Sequence, residues 1–263
     1  MGGLTTDVRP GGYAIVTMCS EPVNLMTMDL WQQLRDTLER LENDPAVRGV
    51  IFASGLQRDV FTAGNDFKEL YAPSTSADRY RDFWVLQNQF LARLYRSPLV
   101  TIAAIRGACP AGGCGMAMAC DLRIMTEAGH IGLNEVAVGI SVPLFWSRLM
   151  ARVIGDGPAE RLCQFAVFLS PQQAKQVGLV NEVTSKENLL PAAEAAMQQM
   201  LRSPDGGRQI TKENMRGAFA REWEAYCGGE AAGAWKQLCN PATVKALAAT
   251  MQRLSKKGAK PKL

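Results

Sequence analysis

The feature that most constrains the fold is an alternation of strand and helix patterns in the first half of the chain. Short apolar runs typical of buried strands occur at 48–55 (RGVIFASG), 99–107 (LVTIAAIRG) and 121–132 (DLRIMTEAGHIG). Segments with apolar residues at helical spacing precede the first two runs, at 28–44 and 78–97. Strands and helices that alternate in this way form mostly parallel sheets with helices on both faces. The sequence therefore predicts an α/β fold.

The two ends of the chain show other patterns. Residues 8–18 predict a β-hairpin that turns at Gly11 and Gly12. After about residue 145 the strand patterns become rare, and helices are predicted at 145–154, 158–168, 171–177, 186–202, 208–226 and 241–256. No repeat, low-complexity tract or linker divides the 263 residues, so we expect an α/β core followed by a helical C-terminal part.

Composition and charge argue against several classes of function. Hydrophobic residues make up 47% of the chain and charged residues 21%, as in ordinary globular proteins. No apolar run is long enough to span a bilayer, so no membrane span is expected. Acids and bases are interspersed, without the basic and aromatic pattern of nucleic-acid binding. The seven cysteines form no C-x-x-C pair, and the single histidine, His130, has no ligand spacing with them, so no metal site is predicted.

A glycine-rich turn at 106–121, RGACPAGGCGMAMACD, lies between a predicted strand and a predicted small-residue helix. It has the outline of a P-loop, but Gly113 stands where the lysine is required. The dinucleotide-binding fingerprint also fails, because Met118 stands at its last position. Free N–H groups at the start of such a helix suit a developing negative charge. Tight packing of a small-residue helix would explain the composition equally well.

A second glycine turn, VFTAGNDFKEL at 60–70, also follows a predicted strand and precedes a helical stretch. Two such turns after consecutive strands could direct two backbone N–H groups at one atom. That arrangement is an oxyanion hole, which stabilises charge that develops during a reaction. An ordinary strand-to-helix loop with an Asn or Asp cap is the alternative.

The third candidate is Glu135, in the otherwise apolar run HIGLNEVAVGISVP at 130–143. Burial among apolar residues would raise the pKa of this carboxyl toward the range useful for proton transfer. A glutamate at a loop edge that faces water or a lysine fits the pattern equally well. His130 is another candidate base, but a lone histidine is more often structural, and the spacing argues for no Ser–His–acid set.

Three motifs in order, FTAGNDF (61–67), RGACPAGGC (106–114) and IGLNEVAVGI (131–140), resemble the crotonase superfamily, the enoyl-CoA hydratase/isomerase family. Similarity at 20–27, 159–183 and 208–216 extends the resemblance over most of the chain. RGACPAGGC and GLNE are most similar to the mitochondrial Δ3,Δ2-enoyl-CoA isomerase branch.

The resemblance implies an α/β fold of the ClpP/crotonase type. A spiral core of ββα units would occupy residues 1–200, and a C-terminal helical trimerisation region would occupy residues 201–263. The family acts on acyl-CoA thioesters and forms homotrimers or dimers of trimers, so these are the partners that the resemblance implies.

The same motifs imply functional residues. The backbone N–H groups of Asn65 and Gly112 would form an oxyanion hole for the thioester oxygen, and Glu135 would be the catalytic residue. Asn65 departs from the family pattern, in which small or apolar residues are commoner; the backbone donor should survive, while the amide side chain could alter the pocket. The implied substrate-binding residues are Ala63, Gly64, Asn65, Asp66, Phe67, Gly112 and Asn134.

The number of carboxylates indicates the reaction. Hydratases of this superfamily carry a glutamate just after the glycine turn and another in the later motif; here the two positions hold Gly115 and Glu135. Moving a double bond requires only one group, which removes a proton at C2 and returns it at C4. We therefore expect a Δ3,Δ2-enoyl-CoA isomerase that converts cis- or trans-3-enoyl-CoA to trans-2-enoyl-CoA in fatty acid β-oxidation. Dienoyl-CoA isomerases use an added acid where this chain has Pro143.

Several expectations accompany this assignment. No metal or redox cofactor is expected, because the thioester and the oxyanion hole stabilise the charge. Coenzyme A is part of the substrate. A one-carboxylate hydratase, a non-catalytic CoA-binding or RNA-binding homologue, and a hydrolase built on His130 and Ser141 are the alternatives. The acyl pocket is expected to draw on residues among Trp84, Phe90, Leu144, Phe145 and Trp146.

The compartment is predicted by resemblance alone. The isomerase branch implies the mitochondrial matrix. The basic tail at 256–263 ends in PKL, which loosely resembles the SKL peroxisomal signal, so a peroxisome or glycosome is the alternative.

Overall fold

The strands of the central sheet follow chain order. In residues 3–258, which a computed structural model describes, six strands form one sheet. They are β1 (Leu4–Arg9), β2 (Tyr13–Met18), β3 (Gly49–Ser54), β4 (Val100–Pro110), β5 (Leu122–Gly132) and β6 (Glu182–Thr184). β1 and β2 are the predicted antiparallel hairpin, and every later pair is parallel. Parallel strands added one after another on the same side produce a spiral, since each crossover turns in the same right-handed sense.

The described helices connect and cover these strands. They are α1 (Met28–Glu42), α2 (Phe67–Leu70), α3 (Ala77–Arg96), α4 (Gly112–Ala119), α5 (Leu144–Ile154), α6 (Asp156–Gln164), α7 (Pro171–Gln176), α8 (Leu189–Met200), α9 (Asp205–Leu238) and α10 (Pro241–Gly258). Short 3-10 turns lie at Ala72–Ser74 and Glu135–Val138. Thr27 is the N-cap of α1, because its hydroxyl accepts the N–H of Leu30.

Both faces of the sheet are buried, as the alternation predicts. Side chains of successive strand residues point to opposite faces. Ile15, Ile51 and Ile102 belong to a cluster with Met197 of α8. The neighbouring strand positions, including Val16, Val50 and Phe52, belong to the larger cluster with α1, α3 and α4. The predicted α/β core is therefore confirmed.

A bend in the two longest strands positions the candidate site. The register of β4 against β5 shifts after Ile105. Gly107 has a φ of +73°, and a Cβ there would overlap the carbonyl oxygen of Asp59. Beyond the bend, Ala108 pairs with Val60. The ends of β4 and β5 therefore lie beside the loop that follows β3, which brings the two glycine turns together.

The C-terminal helices are part of the same core. α9 runs along α3 and buries Phe219 and Trp223 in the larger cluster. The ammonium of Lys212 lies 2.9 Å from the Asp121 carboxylate at the start of β5. The predicted boundary at residue 200 falls between α8 and α9, although α9 shares its hydrophobic cluster with the spiral.

Three local predictions need correction. α9 extends to Leu238 rather than to 226, and α6 ends at Gln164 rather than at 168. The short strand β6 was not predicted.

No helix among residues 3–258 is long and apolar enough to cross a membrane. The side chains of the basic tail at 256–263 are not among those that the structure describes.

Candidate active site

A cavity of about 270 Å³ lies where the two glycine turns, the 3-10 turn Glu135–Val138 and the C-terminal helices meet. Its wall includes Ala63, Asn65, Phe67, Asn134 and Glu135, all of which the motifs single out. The cavity is mostly apolar, with aromatic side chains from α3 and α5. An apolar cavity with a few convergent polar groups is the usual form of a small-molecule site.

The first turn leaves one N–H unpaired. The N–H of Met26 donates to the Gly64 carbonyl at 2.9 Å, and the N–H of Asp66 donates to the Met26 carbonyl at 3.2 Å. Asn65 lies between these two bonds, and its own N–H has no acceptor among the described residues. Gly64 reaches this conformation with a φ of +85°. The loop is thus held on both sides of the unpaired donor.

The side chain of Asn65 explains its departure from the family pattern. Its Oδ1 accepts the indole N–H of Trp31 at 3.1 Å, and its Nδ2 donates to Oε1 of Gln87 at 2.9 Å. Trp31 and Gln87 are fully buried residues of α1 and α3. The amide side chain is therefore tied to two helices, and it clamps the loop that carries the first donor.

The second turn supplies a matching donor. Ala111 has a φ of +49°, which is strained for a residue with a side chain, and its N–H donates to the Gly132 carbonyl at 2.9 Å. Gly112 follows as the first residue of α4, and its N–H has no acceptor among the described residues. A Cβ placed on Gly64 would lie 3.9 Å from the Gly112 nitrogen. The two unpaired N–H groups therefore belong to turns in direct contact.

Glu135 is the buried carboxyl of the site. It is 6% exposed, and its Oε2 is buried without a hydrogen-bond partner in the described residues. Burial raises the pKa of Glu135 from 4.5 to about 7, against a small opposing effect of its own backbone N–H. A carboxyl whose pKa lies near neutrality can both take up and return a proton.

His130 also lies in the cavity wall, and its ring forms no hydrogen bond with any residue that the structure describes. Its ring packs on Phe168 with 4.6 Å between centroids, and burial lowers its pKa below the usual value. The Ser141 hydroxyl donates to Oε1 of Gln237 at 2.9 Å rather than to the histidine. The arrangement does not favour the hydrolase alternative.

Not every predicted residue lies in the cavity wall. Gly64 and Gly112 are buried next to Ala111, which does line it. The Asp66 carboxylate accepts the N–H of Lys68 at 3.0 Å and caps α2. The structure therefore gives Asp66 a capping role, and its contact with substrate stays a prediction.

Two of the five residues that the sequence suggests for the acyl pocket lie in the cavity wall. Trp84 and Trp146 line the cavity. Phe90 and Phe145 are buried in the core, and Leu144 is 42% exposed at the start of α5.

Sequence reasoning missed the wall that α9 and α10 provide, including a second carboxylate, Glu230. This side chain accepts the indole N–H of Trp84 at 3.1 Å and the backbone N–H of Leu144 at 2.7 Å. Burial raises the pKa of Glu230, and the two donors act in the opposite direction. The only local signal is a lone acid in the small-residue stretch 228–234, GGEAAGA.

The fold and the two facing turns agree with a comparison against protein families. The sequence model described as enoyl-CoA hydratase/isomerase matches residues 9–249. The chain belongs to this family.

Individual relatives show which members of this family the chain resembles. The mouse protein named enoyl-CoA delta isomerase 1, mitochondrial, is 37% identical to this chain over 80% of the chain and 73% of the mouse protein. The human protein of the same name is 39% identical over 80% of the chain and 69% of the human protein. The crystal structure of human mitochondrial delta3-delta2-enoyl-CoA isomerase superposes with a TM-score of 0.93 at 33% identity, over 97% of this chain and 98% of the human one. An enoyl-CoA hydratase from Bacillus halodurans, 22% identical, shares the fold with a TM-score of 0.85 over 94% of this chain and 99% of its own. The fold alone therefore does not distinguish the two reactions.

Proposed function

We propose that this chain is a Δ3,Δ2-enoyl-CoA isomerase that converts 3-enoyl-CoA to trans-2-enoyl-CoA. The observation that carries the proposal is the buried, unpaired carboxyl of Glu135, on the same cavity as the turns that bear the unpaired N–H groups of Asn65 and Gly112. The other carboxylate of the cavity wall, Glu230, is already held by the N–H groups of Trp84 and Leu144. The names and the 37–39% identity of the mammalian relatives support it.

The proposed reaction moves one proton and two electron pairs. Ionised Glu135 removes a proton from C2, and the electrons of the C–H bond shift toward the thioester carbonyl to give a dienolate. The N–H groups of Asn65 and Gly112 donate to the oxyanion, which is worth several kcal/mol when the donors are already in place. The protonated Glu135 then returns the proton to C4, and the double bond moves to C2–C3.

The environment of Glu135 suits a proton shuttle. Its orphaned Oε2 and apolar surroundings make the ionised form unfavourable, so the carboxylate is a stronger base than an exposed glutamate. α10 contributes Thr250 and Arg253 to the cavity wall and packs over the turn that carries Glu135. A covered cavity limits the loss of the transferred proton to water.

The remaining parts of the proposal concern substrate contacts and context. The residues proposed to contact the acyl-CoA are Ala63, Gly64, Asn65, Asp66, Phe67, Gly112 and Asn134. No cofactor beyond the substrate's own coenzyme A is proposed. We further propose a role in β-oxidation in the mitochondrial matrix, supported by the mitochondrial names of the relatives, and assembly into homotrimers or dimers of trimers.

A paired assay on the purified protein tests the function. One arm follows formation of the conjugated thioester from 3-hexenoyl-CoA by ultraviolet absorbance, and the other follows loss of conjugation from crotonyl-CoA in water. The proposal predicts rapid isomerisation and negligible hydration. Hydration that is as fast as isomerisation, or binding of both esters without turnover, would overturn it.

A further inference from the structure

Gly115 lies against the ring of Trp146. A Cβ placed on Gly115 would have its three nearest neighbours in the indole ring, at 3.4, 3.5 and 3.6 Å. These are ordinary contact distances, so an alanine fits there, while the further atoms of a longer side chain would meet the ring. Gly115 follows Gly112 by three residues on α4, and residues at this spacing share one helix face. A side chain at position 115 would be directed at Trp146, which is itself part of the cavity wall.

The Trp146 ring is held in place from two sides. Its indole N–H donates at 3.0 Å to Oδ1 of Asn88, a fully buried residue of α3. Asn88 also accepts the indole N–H of Trp223 and donates to the Trp84 carbonyl, so its amide is fixed by three bonds. The ring of Trp84 stacks on Trp146 with 6.3 Å between centroids and an angle of 14°. Moving the Trp146 ring would break a buried hydrogen bond and this stack.

We propose that Trp146 is a specificity-determining residue that keeps a carboxylate out of position 115 and excludes a reactive water there. The inference rests on the proposed function and extends it to the choice between isomerisation and hydration. Hydration adds a hydroxyl at C3 and a proton at C2, so it needs an ordered water and groups that activate it. Trp146 lines the same cavity as Glu135 and fills the space into which a side chain at position 115 would extend.

The steric part of the proposal is tested with substitutions at both positions. The variants are Gly115→Glu, the double variant Gly115→Glu/Trp146→Ala, and Gly115→Ala as the matched control. The measurement is the hydration rate of crotonyl-CoA, divided by the isomerisation rate of 3-hexenoyl-CoA, for each protein. We expect Gly115→Ala to keep the wild-type ratio, because its methyl group only touches the ring.

The decisive comparison is between the two glutamate variants. The double variant should raise the ratio about tenfold or more over Gly115→Glu, because only the smaller residue at 146 leaves room for the carboxylate at position 115 and its water. Equal ratios in the two variants would overturn the proposal. Near-ultraviolet circular dichroism identifies any variant that has lost its packed core.

A second pair of variants covers the case in which a buried glutamate at 115 prevents folding. Trp146→Ala should hydrate crotonyl-CoA faster than Trp146→Phe, because only the alanine opens space for water beside Glu135. Equal hydration by this pair would also overturn the proposal. Failure of the wild-type protein to isomerise 3-hexenoyl-CoA would instead refute the proposed function, so the two failures are distinguishable.

Discussion

Replacing Glu135 with glutamine should abolish turnover and at the same time stabilise the fold at alkaline pH. Burial raises the pKa of Glu135 from 4.5 to about 7, so the folded state resists ionisation of this group. At pH values below 4.5, the pKa of the unfolded chain, the carboxyl is neutral in both states and its burial does not lower the free energy of unfolding. Between the two values only the unfolded chain releases the proton, and stability falls by about 1.4 kcal/mol per pH unit. Above about pH 7 the full cost of about 3 kcal/mol is present.

Urea unfolding of the wild type and of Glu135→Gln at about pH 5 and about pH 8 measures this difference, since all other titrating groups are shared. The glutamine variant should gain up to about 3 kcal/mol relative to the wild type between the two conditions. Glu127→Gln, at an exposed position of β5, is the matched control and should show no such gain. An unchanged difference between wild type and Glu135→Gln would show that the Glu135 carboxylate is solvated or paired.

Three further predictions follow from the same geometry. The logarithm of kcat/KM should rise with a slope of about one up to about pH 7 and then level off, as the base ionises; a flat profile would exclude Glu135 as that base. Asn65→Ala, which removes the clamp to Trp31 and Gln87, should destabilise the protein by about 1–3 kcal/mol in urea and lower kcat more than it changes KM; an unchanged kcat would refute the clamp. Ala111→Gly should raise the unfolding free energy by about 1 kcal/mol by relieving its positive φ; a destabilised variant would show that this turn is not strained.

Much of the fold was predictable because its elements have strong local signals. The hairpin at 8–18, the capped helix α1 and the buried strands β3 to β5 follow from periodicity and turn residues. The extent of α9 did not follow, because Gly228, Gly229 and Gly233 normally weaken a helix. Contacts made by its buried residues, such as Ala231 and Leu238, offset that local preference, and such contacts are not visible in the sequence.

The candidate site, like the fold, was predictable only where the signal is local. Glu135 and the two glycine turns could be found from sequence, because an acid in an apolar run and glycine after a strand are unusual local patterns. The partners of Asn65, the contact of Trp146 with Gly115 and the place of Glu230 in the cavity wall could not. Each joins residues more than twenty positions apart, so only the folded chain brings them together.

The most direct test of the account follows the proton itself. The wild-type protein is given 3-hexenoyl-CoA that carries deuterium at C2, in ordinary water, and the 2-enoyl product is analysed by mass spectrometry and NMR. A single buried carboxyl that removes and returns the same proton predicts deuterium at C4 well above the level expected from exchange with solvent. Product formed at a normal rate with no deuterium at C4 would contradict a shuttle by Glu135 alone.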